Sequence, residues 1–257
     1  MQVLQCDNIN SSLGTDGSGA QYKFWTDSRT LVKFNTRSKE AQKEVAAYKL
    51  GTAFGLPCVP YTEIDALVNG KTHRACLSPS FLVDGDVEMT ANELLDSAGY
   101  YPTQNVSSIE YINRLISIIS GYTGIATGFV QSWLYDMLVF DYLICNSDRH
   151  LNNFEVLYNQ HTGTYRLAPY FDHGLSFLGT DASLTKSEFE KRVRRYKSKP
   201  FSTNSDKNIG DLSIARLSFK KMLGNIGGIA GIRALDISDG YKLTVIRRSE
   251  QLNKLLS

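Results

Sequence analysis

Apolar and polar positions alternate in two short runs near the start of the chain, YKFWT (22–26) and TLVKF (30–34). Both are rich in β-formers, and Asp27-Ser28-Arg29 joins them, so the pair predicts a hairpin. Residues 38–54, SKEAQKEVAAYKLGTAF, carry Val45, Tyr48, Leu50 and Phe54 among good helix formers. Ser38 stands where an N-cap would, and Gly55-Leu56-Pro57 stop the helix. VPYTEIDALVNGKTHRACLSPSFL (59–82) then predicts a second strand pair, turned at Asn69-Gly70. The first 85 residues are thus mostly β with one helix.

The pattern changes after Asp84-Gly85-Asp86. Residues 90–98, 106–120 and 127–144 are apolar at helical spacing. In the last of these, Phe129, Val130, Trp133, Leu134, Met137, Leu138 and Phe140 leave few polar faces, which predicts a helix buried nearly all round. FEVLYN (154–159) and TYRLAPY (164–170), separated by Gln160-His161-Thr162-Gly163, predict a third hairpin. From about residue 186 the chain is mixed and helical, with the basic stretch KRVRRYKSK at 191–199. No repeat or low-complexity segment interrupts it. The expected architecture is α+β in two lobes, a β-rich N-lobe (1–85) and a helical C-lobe (86–257).

Composition narrows the function classes. An apolar fraction of 42% and a charged fraction of 21% are those of an ordinary globular protein. A net charge of +2 is too small to argue for nucleic acid or a membrane surface as partner. Cys6, Cys58, Cys76 and Cys145 are scattered without metal-ligand spacing, as suits a reduced cytoplasmic protein. The N-terminus has no basic start and no apolar core, so no Sec-type leader is expected, and no apolar run reaches the roughly 20 residues of a membrane span. Delivery to another cell stays open.

The chemistry-bearing residues gather in CNSDRHLNNF (145–154) and the segment after the third hairpin. Asp148 and Asn153 are five apart just past the buried helix, and Asp172 precedes His173-Gly174. Asp and Asn are hard oxygen ligands of the kind Mg²⁺ takes, usually one or two per site, with water and phosphate completing the shell. An Asp opening a loop with an Asn five residues on recurs in phosphoryl transfer. The competing reading is that these are turn formers. On the N-terminal side, Lys33 lies within an apolar strand, which is costly unless its amine reaches a partner. Glu44 on the following helix is the expected partner, with Glu40 competing, while Lys23 is a second cation. Gly14, Gly17 and Gly19 precede the first strand, but their spacing is not that of a Walker loop.

These residues together resemble the HipA-like kinases, a bacterial family on the protein-kinase-like fold. GAQYK (19–23), EVAAYKLGTAFGLPCVPY (44–61), CNSDRHLNNF and LAPYFDHGLSF (167–177) carry the resemblance, which spans nearly the whole chain. It implies an ATP- and Mg²⁺-dependent serine/threonine kinase acting on a protein substrate. Asp148 would be the catalytic base, with His150 beside it. Asn153 and Asp172 would hold Mg²⁺, and Lys33 the α/β-phosphates. Lys23 and the backbone of Gly17, Ser18, Gly19, Ala20 and Gln21 would lie along the nucleotide. Pro79-Ser80-Phe81 would be the hinge that reads adenine. Asp172-His173-Gly174 departs from the Asp-Phe-Gly of ordinary protein kinases. Where the family autophosphorylates a serine just before the Gly-Ala-Gln-x-Lys motif, this chain has Asp16, flanked by Thr15 and Ser18. The chain resembles the compact members, without HipA's extra N-terminal region, so a HipB-type antitoxin partner is not expected. A phosphoinositide kinase on the same fold is the alternative enzyme, and a nucleotide-binding pseudokinase scaffold the alternative class. The basic stretch 191–199 reads as a solvated helix face, a dock for an acidic or lipid substrate, or a phosphate clamp.

Overall fold

The computed structural model describes residues 3–5, 23–27, 29–35, 39–68, 70–103 and 105–257. Five strands form one sheet: β1 (Val3–Gln5), β2 (Lys23–Asp27), β3 (Thr30–Phe34), β4 (Thr62–Val68) and β5 (Lys71–Pro79). Their spatial order is β1-β4-β5-β3-β2, with β1 parallel to β4 and the rest antiparallel. The first two predicted hairpins are β2–β3 and β4–β5. Gly70 sits in the second turn with φ of 74°, a conformation glycine adopts without steric cost; Asn69 lies outside the described residues.

Helix α1 (Glu40–Ala53) packs one side on this sheet, where Ala41 joins Val59, Tyr61 and Cys76. Its other side, Ala46, Ala47, Leu50 and Phe54, belongs to the helical core. That division makes α1 the link between the two packing units. The helix is preceded by Lys39 in the left-handed region with no side-chain cap, and the expected cap Ser38 lies outside the described residues. Gly55, with φ of 74°, ends it as expected.

A second, three-stranded sheet is formed by β6 (Asp86–Thr90), β7 (Glu155–Asn159) and β8 (Thr164–Leu167). The third predicted hairpin is β7–β8, and β6 pairs with β7. The helices are α2 (Ala91–Ser97), α3 (Ser108–Thr123), α4 (Thr127–Ile144), α5 (Lys186–Arg195), α6 (Ser205–Asn208), α7 (Leu212–Ile226), α8 (Gly228–Ala234) and α9 (Asp239–Leu256). Thr90 and Glu93 cap α2 reciprocally, each side chain bonding the other's backbone N–H.

Helix α4 is the axis of the core, packed by α3, α7 and α9. Residues 133–146 are buried without a break. Phe129 corrects the sequence expectation: it is 73% exposed. The first turn of α4 follows an exposed loop and precedes its packing partners, and periodicity alone does not show where along a helix the neighbours begin. Among the described residues no helix is long and apolar enough to cross a membrane. Cys58, Cys76 and Cys145 are free thiols.

At Gly51, α1 lies close against its neighbours. A Cβ there would stand 2.2 Å from Cys58 Sγ and 3.4 Å from the Phe140 ring. In an open helix Gly→Ala gains roughly 0.5–1 kcal/mol. Here the clash decides the sign, and Gly51→Ala is expected to lose about 1–3 kcal/mol in urea denaturation. A gain would show that Cys58 moves aside freely.

Candidate active site

Strand β3 carries Lys33 inward, and the hydrophobic surroundings leave the residue only 5% exposed. A buried ammonium needs partners of opposite charge. It has two: Glu44 Oε1 at 2.7 Å and Asp172 Oδ1 at 2.9 Å. Glu44, on α1, is fully buried, and its other oxygen accepts the His173 N–H at 2.8 Å. Between the two carboxylates that the sequence left open, the structure selects Glu44. Lys23 and Lys33 stand opposite each other across β2 and β3, so both side chains leave the same face of the sheet.

The loop after α4 begins with Cys145 in the left-handed region, φ 53°. It is held by Arg149, which is fully buried. The guanidinium donates to both oxygens of Asp141 (2.6 and 3.2 Å), to the Phe171 carbonyl at 2.9 Å and to the Asn153 carbonyl at 3.3 Å. One side chain therefore joins α4, the loop 146–154 and the segment before Asp172. Asp172 takes φ of 62°, which few residue types adopt. Its Oδ2 accepts from Asn153 Nδ2 at 3.3 Å, and Asn153 also donates to the Asp148 carbonyl at 3.3 Å. The Asp148 Oδ1 accepts from Lys199 at 2.9 Å.

Lys23, Lys33, Asp148, Asn153, Phe171 and Asp172 line one cleft of about 360 Å³, together with His150, Pro79 and Phe81. Phe81 stacks on Phe171 with ring centres 5.5 Å apart, forming an apolar wall. The Ser80 N–H and the Phe81 carbonyl are taken by Arg29 and Arg166, whereas the Phe81 N–H makes no hydrogen bond within the described residues. Gly17, Ser18, Gly19, Ala20 and Gln21 lie outside the described residues.

Electrostatics follow from the burial. The Lys33 ammonium beside Asp172 holds that carboxyl well below the usual carboxylate range, against the effect of desolvation. Burial opposes charge on Lys33, but Asp172 and Glu44 together push it well above the usual lysine value. Burial, helped by Arg149, pushes His173 well below its ordinary value, so the ring is neutral at physiological pH.

A family model for the HipA-like C-terminal domain matches residues 15–223. The chain belongs to this family. The HipA-like chain also resembles solved structures in fold. It aligns with the Helicobacter pylori proinflammatory kinase CtkA at a TM-score of 0.61 and 15% identity, over 91% of this chain and 90% of that one. It aligns with HipA of Shewanella oneidensis, solved with HipB and operator DNA, at a TM-score of 0.52 and 13% identity, over 96% and 68% of the two chains. No curated protein matches the sequence significantly. The fold is the kinase-like α+β fold of these neighbours.

Three features of the HipA-like site escaped the sequence reading. Lys199 reaches Asp148 from 51 positions away. Tyr61 lies under Lys33, 5.4 Å from ring centre to nitrogen. At the lip of the cleft, Glu155 lies near Glu88, and burial, then Glu88 and Glu93, push the Glu155 carboxyl up to about 8. The diagonal placement of Glu155 and Glu88 on β7 and β6 brings them together, which no local pattern signals.

Removing one member of a buried pair leaves the other charge uncompensated. Arg149→Leu is therefore expected to cost about 3–5 kcal/mol, read from the urea midpoint; a loss under about 1 kcal/mol would mean that Asp141 finds other partners. Glu155 gives a pH test. Its folded value of about 8 exceeds the unfolded value of ~4.3, so the folded state binds the extra proton between them and stability falls as pH rises through that window. Glu155→Gln should accordingly be the more stable protein, by a margin that grows from pH 5 to pH 8 and reaches at least about 1 kcal/mol. A margin independent of pH would rule out a raised Glu155 carboxyl.

Proposed function

We propose that this chain is an ATP- and Mg²⁺-dependent serine/threonine protein kinase that also phosphorylates itself, its lobes 1–85 and 86–257 enclosing the nucleotide. The observation that carries the reading is the convergence of Lys33, Asn153 and Asp172 in one cleft whose rim holds Asp148. A lysine fixed by a helix carboxylate, beside an Asp and an Asn, is the arrangement by which kinases hold phosphates and metal.

The donor set fits magnesium. Asp172 and Asn153 are hard ligands in contact with each other, and among the described residues no cluster of His, Cys, Asp and Glu could hold a metal by itself. Such a site draws its remaining ligands from phosphate and water. The ion, when bound, offsets charge on the transferring phosphoryl group. Lys33 keeps a third N–H for phosphate oxygens while Glu44 and Asp172 fix its position. Asp148 orients the acceptor hydroxyl and takes its proton, with His150 adjoining. The apolar wall of Phe81 and Phe171 suits a purine, and the Phe81 N–H, unbonded among the described residues, gives that ring one donor.

Intact mass after incubation with Mg-ATP tests this directly. The unaltered chain should gain mass in steps of one phosphoryl group. Asp172→Asn should lower the rate at least about a hundredfold with the fold retained. Asp148→Asn should lower turnover comparably while ATP affinity stays within a few-fold. ATP bound but neither consumed nor transferred, to protein or to phosphoinositide, would overturn the kinase reading in favour of a nucleotide-binding scaffold.

A further inference from the structure

A second concavity, of about 810 Å³, opens next to the catalytic rim along α5. Ser147 and Lys199 line it at the end nearest Asp148. Its charge is one-sided. Lys43, Lys191, Arg192, Arg195, Lys197 and Lys199 face it, against the single carboxylate Glu188. That carboxylate is already committed, accepting the Thr185 N–H and hydroxyl at 2.8 and 2.6 Å in the N-terminal cap of α5. Among the described residues, Lys191, Arg195 and Lys197 form no ion pair. The chain's net charge is only +2, so the groove concentrates cations that the molecule as a whole does not have in excess.

We propose that this groove docks an acidic segment of the acceptor protein, beside the hydroxyl that receives the phosphoryl group. The inference rests on the kinase reading above and names the substrate chemistry. Leu175, Leu178 and Leu184 add apolar surface between the cations, and a concave, mixed lining suits an extended peptide. A flat membrane surface fits less well: among the described residues, Leu175 alone of the large exposed apolar side chains lines the groove. A nucleic acid would call for aromatic stacking faces, and the one aromatic residue here, Tyr196, has its hydroxyl bonded to the Asn146 carbonyl at 2.7 Å. Lys199 couples the groove to the chemistry. It is paired with Asp148 at 2.9 Å, and a docked carboxylate competes for it, which releases Asp148 toward the acceptor hydroxyl.

The test measures binding of fluorescein-labelled serine peptides to the full chain by anisotropy, with the serine flanked by Glu, by Gln or by Lys. The Glu peptide should bind at least about tenfold tighter than the Gln peptide at low salt, with the gap closing as salt is raised. The variant Lys191→Glu/Arg195→Glu/Lys197→Glu should lose that preference, while Arg216→Glu/Lys220→Glu on α7 keeps it. Autophosphorylation, read in parallel by intact mass, should persist in both variants. Equal binding of the three peptides to the unaltered chain would overturn the proposal, even if the triple variant failed to fold. A preference for an RNA oligonucleotide or for anionic vesicles over the Glu peptide would overturn it too. Selective binding without transfer to any hydroxyl would leave the dock standing and remove the kinase reading. Transfer without selective binding would do the reverse.

Discussion

A lysine buried in a β-strand sets the terms for the rest of this molecule. The Lys33 ammonium cannot leave water uncompensated, and the two carboxylates that receive it come from different parts of the chain. Glu44 belongs to the helix that packs both on the N-terminal sheet and in the helical core, while Asp172 follows β8. The ion pairs therefore fix strand, helix and loop relative to one another, and they do so at the back of the cleft. Apolar packing alone would leave that register looser, because small shifts of a helix over a sheet change buried area little, whereas a 2.7 Å ion pair tolerates almost no shift.

Asp172 is held from three directions. Lys33 and Asn153 take its carboxylate, Arg149 takes the carbonyl before it, and Glu44 takes the N–H after it. A non-glycine residue in the left-handed region persists only when its surroundings over-determine it. Here two buried cations and a buried anion do so in place of a regular ladder. Arg149 performs the same service for the loop that carries Asp148 and Asn153, where backbone groups have no helix or sheet to satisfy them. The neutral state of His173 fits this balance, since a third cation between Arg149 and Lys33 would undo it.

Much of this was visible in the sequence, and what was not has a common cause. Asn69-Gly70 and the alternating runs mark the hairpins, and the lysine within TLVKF stands out because its neighbours are apolar. Glu40 and Glu44 lie one helical turn apart on the same face of α1, so only the register of that helix on the sheet separates them. The same holds for Lys199 on Asp148 and for Glu155 on Glu88: each pair is made by tertiary placement across tens of residues. Phe129 failed for a related reason, since an apolar stripe says which face is inward but not how far the neighbours extend. The loop motifs were legible because their chemistry is local, Asp and Asn at fixed short spacing.

Identities of 15% and 13% across nearly the whole chain show how little sequence the fold requires. Hydrophobic cores accept substitution as long as volume and pattern are kept. The Lys33–Glu44–Asp172 ion triad is less forgiving, because removing either carboxylate leaves the buried Lys33 ammonium with one counter-charge fewer. The exposed cations of α5 are under neither constraint. They touch no core residue through their charge, and exchanging them leaves the Lys33 network intact. On the reading proposed, transfer and acceptor choice are thus physically separable: one is built from mutually dependent charges around a buried lysine, the other from the exposed cations of a solvent-facing helix. A family with this division can redirect its chemistry to new acceptors while the cleft stays as it is.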